Sequence, residues 1–410
     1  MECLCLDNGL TLVIGYYPGH SSGIDLCFNY GSAFEKSSEA GIAHFLEHIF
    51  FSGSKKLGRK KSLELVESAG GELNAFTSRE ETHYYSRIHN KEFIRPLMVF
   101  SECFNDGYFR DADVELEKKI VLNEIRETRD NPVKRLFDEF MEVSMGKTFG
   151  RRTIGSEKTV QSINRSKLEK CLKKNYYSKN LTIGIASSLS EEKLAREIGN
   201  RFVARAGKPV KLKGKPPKPK HREKLIRAKT EQAHCCLGFP VMDARHKDWL
   251  AAQLINEYLG GGLSARLPRE IREKRGLSYA VSSFLDSEKN HGVFAVYFST
   301  AESKIKKAKG LVLKELSALQ EKKLSSRTLK QTKSRFLGHL TLETENSFNS
   351  AKRLVEAYVY NQPNIEQLPS ALKSISPNDV KRVAQEFLQT EQYAFTALLP
   401  NNPNHTGHKS

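Results

Sequence analysis

The sequence lacks any long apolar run. No stretch approaches the roughly 20 uninterrupted apolar residues that a helix needs to cross a bilayer, so we expect no integral membrane protein and no membrane partner. The first residues, MECLCLDNGLTLVIGYYPG, carry Glu2 and Asp7 where a secretory signal would carry positive charge. We therefore expect this segment to form a strand, a turn and a second strand of the mature chain.

Cysteine is sparse and shows no paired spacing. The 410 residues contain seven cysteines, an odd number, and no C-x-x-C motif. This pattern is typical of free thiols in a reducing compartment, and it predicts a cytoplasmic location. The seven are Cys3, Cys5, Cys27, Cys103, Cys171, Cys235 and Cys236.

Glycine and proline are not abundant either. The 27 glycine and 14 proline residues exclude a collagen-like or low-complexity chain, and the 39% of apolar residues are those of an ordinary globular protein. A chain of 410 residues exceeds what one hydrophobic core usually organises, since domains typically span about 100–200 residues. The length therefore predicts two domains.

Positive charge is in excess, and much of it is confined to one segment. The formal net charge is +18, and residues 205–224, RAGKPVKLKGKPPKPKHREK, carry nine Lys or Arg residues against one acid. Such a segment raises the hypothesis of nucleic-acid binding, but no aromatic residue stands beside the lysines to stack on bases. We expect no nucleic-acid partner. The proline and lysine content predicts a solvated interdomain linker.

This linker divides the chain into halves of similar size. Helical patterns alternate with paired strand-like runs in both halves, so the predicted fold class is α+β, with antiparallel or mixed sheets backed by helices. The predicted organisation is an N-terminal domain, residues 1–204, the Lys/Pro-rich linker, residues 205–224, a C-terminal domain of similar fold, residues 225–400, and a disordered tail, residues 401–410.

Two segments of the first half predict regular secondary structure. ELNAFTSREETHYYSRIH has the β-branched and aromatic character of strands, with a break at SREE. His83 and His89 share one face of this run, but no acidic motif accompanies them, and we assign them no function. Residues 113–130 predict a long helix that Pro132 ends.

The segment GIAHFLEHIF, from Gly41 to Phe50, predicts a buried helix with two histidines. His44 and His48 lie four residues apart, so both imidazoles project from one face of a helix and can bind one metal ion. Glu47 stands beside the second histidine, where it can take a proton from a water molecule on that metal. The order H-x-x-E-H is the inverzincin signature.

A purely structural reading of this helix is also open. Two core histidines and a buried glutamate would serve without a metal, but a buried charge costs free energy unless it is paired. Two ligands are not a complete site, because catalytic zinc usually has three. Glu117 and Glu124 share one face of the predicted helix 113–130, although spacing alone explains each of them better as a surface acid.

Seven blocks stand in order along the chain, from residue 6 to about residue 284: LDNGL, GIAHFLEH, GGELNAFTSREET, VLNEI, GSEKTV, EQAHCCLGF and GGGLSARLPREIREKRGLSYAV. Together they resemble peptidase family M16, the pitrilysin or insulinase family. The resemblance implies a zinc-dependent endopeptidase that hydrolyses peptides or extended, unfolded protein segments, with two LuxS/MPP-like domains similar to those of mitochondrial processing peptidase subunits.

The resemblance also assigns roles in the first half. It implies that His44, His48 and Glu124 bind one Zn²⁺ per chain, with Glu47 as the general base. Glu117, two helical turns before Glu124, takes the place of an acid that supports catalysis in the family.

In the second half, REIREKRGLSY resembles the family segment that holds substrate and stabilises the tetrahedral intermediate. The resemblance places these roles on Arg272 and Tyr279, whose side chains can donate to a carbonyl oxygen as it gains negative charge. Arg275 is close enough in sequence to be confused with Arg272. Pro268 either begins a helix here or kinks one.

The segment LNAFTS resembles the edge strand on which family members align an extended substrate. Asn74 and Ala75 would then bind substrate by strand addition, although an ordinary edge strand has the same conformation. Family members of this length carry half of a four-domain enclosure, so the resemblance implies a homodimer or a heterodimer with a related M16 chain. The alternative is a non-catalytic structural or recruiting subunit of the same family.

Overall fold

The structure is a computed structural model that describes residues 1–212 and 214–401. Of the predicted tail, residues 402–410 lie outside the described residues. The helices are α1 Ile42–Ile49, α2 Arg59–Glu67, α3 Ile94–Asp106, α4 Asp111–Asp130, α5 Pro132–Phe149, α6 Glu157–Gln161, α7 Arg165–Asn175, α8 Glu191–Arg201, α9 Trp249–Gly260, α10 Ile305–Glu321, α11 Ser326–Glu343, α12 Ser347–Val359, α13 Leu368–Ser374 and α14 Pro377–Phe387.

A π-helical turn spans Pro268–Glu273. None of the helices in the described part of the chain is both long and apolar enough to span a membrane. The strands are β1 Glu2–Cys5, β2 Thr11–Tyr16, β3 Ser21–Phe28, β4 Glu72–Thr77, β5 Thr82–His89, β6 Leu181–Ser187, β7 Arg222–Ala228, β8 Ala233–Val241, β9 Val281–Ser287, β10 Gly292–Thr300 and β11 Ala394–Pro400.

The described residues form two compact units, and neither unit is one continuous half of the sequence. The first unit comprises residues 1–125, 151–212 and 339–367, and the second comprises residues 126–150, 214–338 and 368–401. Each unit therefore takes a segment from the other half of the chain.

This exchange is the main difference from the predicted division into residues 1–204 and 225–400. The predicted linker, residues 205–224, does contain the point where the chain passes from the first unit into residue 214 of the second. Its described residues up to 221 form no helix or strand, and β7 begins at Arg222, before the predicted end of the linker.

The first unit is built on a six-stranded sheet in the order β1-β2-β6-β3-β5-β4. Only β2 and β6 pair in parallel, and the other neighbours are antiparallel. Alternate residues of β3, Ile24, Leu26 and Phe28, enter the hydrophobic core, to which α1 and α3 also contribute. The residues between them, Asp25 and Cys27, point to the opposite face.

Helix α12 covers that opposite face, although it comes from the far end of the sequence. It packs against β2, β3, β5 and β6. A glycine in β3 permits the close approach, because a Cβ atom on Gly23 would overlap the backbone carbonyl of Ser347 at the start of α12. The central strands β3 and β6 of this sheet are thus buried on both faces.

The second unit contains a five-stranded sheet in the order β7-β11-β8-β10-β9, in which only β7 and β11 pair in parallel. Helix α5 packs against β11 and β8, while α9 lies against β9 and α14 packs on α9 and α10. Each unit therefore combines a mixed, mostly antiparallel sheet with helices, which confirms the predicted α+β class.

Helix α5 was not predicted, because Pro132 was interpreted only as the end of α4. Pro132 is also the first residue of α5. An amide at this position has no acceptor within the helix, so a proline, which lacks the amide hydrogen, costs no helical hydrogen bond there. Asn131 caps the new helix by accepting hydrogen bonds from the amides of Val133 and Lys134, each at 3.0 Å. One proline thus separates two helices.

Candidate metal centre

The candidate metal centre is built on α1, whose amino end is fixed by two neighbours. Gly41 stands at the N-cap with a φ of 91°, in the left-handed region that glycine adopts readily. Glu35 accepts hydrogen bonds from the amides of Gly41 and Ala43 at 2.9 and 2.8 Å. These contacts satisfy amide groups that a helix start leaves unpaired, so the backbone that carries His44 is held in place.

The structure brings His44, His48 and Glu124 together. The Nε2 atoms of His44 and His48 lie 3.6 and 3.3 Å from Oε2 of Glu124. Each of the three residues offers one ligand atom, and these atoms lie within 4.8 Å of one another. Two imidazole nitrogens and one carboxylate oxygen are a donor set of catalytic zinc sites, so the residues present fit the ion.

Glu117 lies against the other nitrogen of His48. Its Oε2 atom is 3.3 Å from His48 Nδ1, and its carboxylate forms an ion pair with Arg59 of α2. The side chain of Glu117 is only 2% exposed. A hydrogen bond donated from Nδ1 to this carboxylate leaves the Nε2 lone pair of His48 facing Glu124, which is the orientation a metal ligand needs.

His44 is suited to ligation by its protonation state. Burial lowers the pKa of His44 to about 4, and His48 acts in the same direction while Glu124 opposes it. The imidazole is therefore neutral near neutral pH. A neutral imidazole offers a nitrogen lone pair without first losing a proton.

Glu47 lies on α1 between the two histidines, and Thr77 of β4 holds its side chain. The Thr77 hydroxyl donates a hydrogen bond of 2.6 Å to Glu47 Oε2. Burial raises the pKa of Glu47 above its ordinary value, and the hydrogen bond from Thr77 partly offsets this effect. A carboxylate with a raised pKa is better matched to proton exchange near neutral pH than an exposed one.

Strand β4, which carries Asn74 and Ala75, is the last strand at one edge of its sheet. Its hydrogen-bonded neighbour in that sheet order is β5. An edge strand presents backbone donors and acceptors on its outer side, and an extended chain can pair with them. The Thr77 contact places this edge next to α1.

In the second unit, the structure brings Arg272 and Tyr279 together. The guanidinium carbon of Arg272 lies 5.2 Å from the centre of the Tyr279 ring, and Tyr279 is 78% exposed. Arg272 belongs to the π-helical turn that begins at Pro268. Arg275 has a different environment, since it donates to the backbone oxygen and the carboxylate of buried Glu270 at 2.6 and 2.8 Å.

Two family models match the chain in succession. Residues 12–157 match the model described as "Insulinase (Peptidase family M16)", and residues 162–336 match the one described as "Peptidase M16 inactive domain". The chain belongs to peptidase family M16. The family resemblance of the sequence blocks is thereby confirmed.

M16 relatives match over nearly the whole chain. YmxG of Bacillus subtilis, named an uncharacterized zinc protease, is 29% identical over 399 residues, which are 96% of this chain and 97% of YmxG. An uncharacterized zinc protease of Rickettsia bellii is 29% identical over 405 residues, 97% of each chain. The names of these relatives imply zinc as the metal of the M16 centre.

Solved structures share the M16 fold. A protease from Helicobacter pylori has a TM-score of 0.89 at 22% identity and covers 97% of this chain and 99% of its own. A peptidase M16 inactive domain from Pseudomonas fluorescens also has a TM-score of 0.89, at 19% identity and 98% coverage of both chains. At these identities the likeness concerns the fold.

The sequence did not predict that Thr77 and Arg59 contact residues of the candidate metal centre. Thr77 lies two residues beyond Ala75 in the predicted strand, and Arg59 opens α2, but neither has a motif of its own. Their positions depend on how β4 and α2 pack beside α1. No pattern within one segment could have revealed them.

Proposed function

We propose that this M16 chain is a zinc-dependent endopeptidase of the inverzincin type, acting on peptides or extended, unfolded protein segments. The observation that carries the proposal is the convergence of His44 and His48 of α1 with Glu124 of α4. Glu47 lies on α1 beside the two histidines. One zinc ion at this centre would polarise the scissile carbonyl and lower the pKa of a water molecule.

The chain's own residues supply the remaining steps. Glu47 takes the proton from the attacking water and later delivers it to the leaving amine, while Thr77 keeps its carboxylate in place. Glu117 keeps the Nε2 atom of His48 available as a ligand. Arg272 and Tyr279 are proposed to hold substrate and to donate hydrogen bonds to the carbonyl oxygen as negative charge develops.

The edge position of β4 supports the proposed substrate class. An extended chain can pair with the backbone at Asn74 and Ala75, whereas a folded domain has few strands free to do so. Main-chain pairing of this kind depends little on side-chain identity. We therefore propose that conformation, rather than one specific sequence, decides which segments bind.

The assembly and location are further parts of the proposal. We propose a homodimer, or a heterodimer with a related M16 chain, in the cytoplasm, without membrane or nucleic-acid partners. The seven cysteines are all free thiols in the structure, which agrees with a reducing compartment. Light scattering on the purified chain tests the homodimer, and co-purification with a second M16 chain tests the heterodimer.

The deciding experiment combines metal analysis with hydrolysis of a mixed peptide library. The wild type, the Glu47→Gln variant and a control, Glu67→Gln at an exposed position of α2, are compared at equal zinc content. The expected result is bound zinc in all three proteins, with cleavage lost in Glu47→Gln and retained in the control. General-base loss of this kind typically lowers the rate by about 10²–10⁴-fold.

Two results would contradict the proposal. A wild-type protein that binds no zinc has no such centre, and one whose cleavage survives Glu47→Gln does not use this base. The competing function is that of a non-catalytic M16 subunit. The family model that matches residues 162–336 is described as an inactive domain, which is the observation in favour of this function. That function predicts no cleavage by the wild type together with unchanged biological activity of Glu47→Gln.

A further inference from the structure

A second group of metal-ligating side chains lies on the face of the first sheet that α12 covers. Cys27, Glu81 and His83 each offer one ligand atom, and these atoms lie within 4.8 Å of one another. Cys27 of β3 and His83 of β5 are direct cross-strand partners, and Glu81 precedes β5. Their exposed fractions are 0%, 4% and 2% for Cys27, Glu81 and His83.

The hydrogen bonds of His83 orient its ring toward the other two residues. Its Nδ1 atom lies 3.0 Å from both carboxylate oxygens of Asp25, and its Nε2 atom lies 3.2 Å from Glu81 Oε2. A histidine that binds a metal through one nitrogen commonly donates its other N–H group to a carboxylate. Asp25 supplies that carboxylate here.

One carboxylate oxygen of Glu81 accepts a hydrogen bond, and the other has no partner among the described residues. Tyr360, just beyond α12, donates a hydrogen bond of 2.8 Å to Oε2 of Glu81. The other oxygen, Oε1, is buried and has no hydrogen-bond partner in the described part of the chain. A buried carboxylate oxygen without a partner is costly, and coordination of a cation would satisfy it.

We infer that Cys27, Glu81 and His83 form a second metal site, one that takes a thiophilic divalent cation such as Zn²⁺. Sγ of Cys27, Nε2 of His83 and the carboxylate of Glu81 would bind the ion, and thiolate, imidazole and carboxylate are the three ligand types that zinc takes in proteins. Zinc bonds of about 2.0–2.3 Å place neighbouring tetrahedral ligands about 3.3–3.8 Å apart. The Nε2 to Oε2 separation of 3.2 Å is already close to that spacing.

The charge of the cluster also accommodates a dication. Both nitrogens of His83 face carboxylates, those of Asp25 and Glu81, which is the setting of a doubly protonated ring, and Cys27 is a free, buried cysteine. Binding of M²⁺ releases two protons to solvent, one from His83 Nε2 and one from Cys27 Sγ, so the net charge stays the same. Conserving net charge matters at a buried site, where an uncompensated charge is expensive.

The burial of this site indicates a structural role. Catalytic zinc keeps an open position for water, whereas all three residues here are almost fully enclosed. The ion would join β3 and β5 directly, and it would join the segment after α12 through the bond from Tyr360 to Glu81. It would therefore stabilise the covered face of the sheet.

Zinc analysis of the full chain tests the site. The double variant His44→Ala/His48→Ala removes two ligands of the candidate metal centre, and the zinc content is expected to fall from two ions per chain to one. Adding Cys27→Ser to this background is expected to remove the remaining ion. The inference is overturned if the double variant holds no zinc, or if Cys27→Ser leaves its zinc in place.

Cobalt substitution gives a second, independent readout. The candidate metal centre of His44, His48 and Glu124 has no cysteine, so a thiolate-to-Co²⁺ charge-transfer band in the near-ultraviolet would report Cys27. Cys3→Ser/Cys5→Ser removes the two exposed thiols, and the band is expected to persist in this control. Absence of the band in the control overturns the inference even if Cys27→Ser fails to fold. Neither readout depends on peptidase activity, so each is separate from the proposed function.

Discussion

The hydroxyl of Thr77 and the carboxylate of Glu47 lie 2.6 Å apart and join β4 to α1. Asn74 and Ala75 belong to the same strand, so one short element carries both the proposed substrate edge and the support of the proposed base. A shift of β4 would therefore move the substrate and the base together. This coupling gives Thr77 a role that its sequence context did not indicate.

Replacing Thr77 tests whether the hydrogen bond positions Glu47. Thr77→Val preserves the shape of the side chain but removes the donor, and a hydrogen bond to a charged group contributes about 1.5–3 kcal/mol. We expect kcat to fall by about 10- to 100-fold with KM and zinc content unchanged. Thr77→Ser, which restores the hydroxyl, should recover most of the rate. A fully active Thr77→Val protein would exclude the positioning role.

Glu117 is expected to affect metal affinity. Glu117→Gln removes the negative charge behind His48 Nδ1, and loss of such an outer partner typically weakens metal binding by about 10- to 100-fold. Competition with a chelator measures the zinc dissociation constant. The matched control is Glu115→Gln, which changes an exposed acid on the same helix and should leave the constant unaltered. Equal constants for both variants would contradict the prediction.

The amino end of α1 predicts a pH dependence of stability. Burial raises the pKa of Glu35 to about 8, while the amides of Ala43 and Gly41 and the charge of Arg151 act in the opposite direction. Between about pH 4.5 and pH 8, Glu35 is therefore protonated in the folded protein, whereas the unfolded chain has lost this proton. The free energy of unfolding should fall as the pH rises from about 5 to 8.

Denaturant unfolding of the wild type and Glu35→Gln across that range measures this contribution. The variant carries a neutral side chain at every pH, so its free energy of unfolding should change less between pH 5 and pH 8. Identical changes in both proteins would show that Glu35 is not the group responsible.

The contact between β3 and α12 predicts a large effect from one methyl group. A Cβ atom on Gly23 would overlap the carbonyl of Ser347, so Gly23→Ala should destabilise the protein by about 1–3 kcal/mol, as overpacking does. Gly310→Ala is the control, because nothing lies within 4 Å of its Cβ position in α10. Alanine there should stabilise the helix by about 0.5–1 kcal/mol. Chemical denaturation measures both, and an unaffected Gly23→Ala protein would refute the tight contact.

Local patterns were enough for the parts of the molecule that depend on neighbouring residues. The apolar run around His44 predicted α1, and the seven-residue spacing of Glu117 and Glu124 placed both carboxylates on one helix face. The family resemblance, rather than spacing, selected Glu124 as the third ligand. The structure brings it to the two histidines, while its binding of zinc stays a prediction.

The parts that were missed depend on residues far apart in sequence. His83 was assigned no function because no acidic motif accompanies it, yet Asp25 reaches it from β3, 58 positions earlier. Helix α12 has no unusual local pattern, and its importance comes from its packing on β3, where Gly23 permits the close approach. Pro132 was interpreted as a stop signal, although with Asn131 it also starts α5.

The exchange of α5 and α12 between the two halves of the sequence has a consequence for synthesis of the protein. The strands of the first sheet are complete once Ser187 has been added, but α12 ends only at Val359. A nascent chain that has passed only residue 204 must therefore keep one side of that sheet uncovered, with Asp25 and its neighbours in water. Folding of the first unit must wait for most of translation, and a fragment limited to the first half would carry an unprotected surface prone to aggregation.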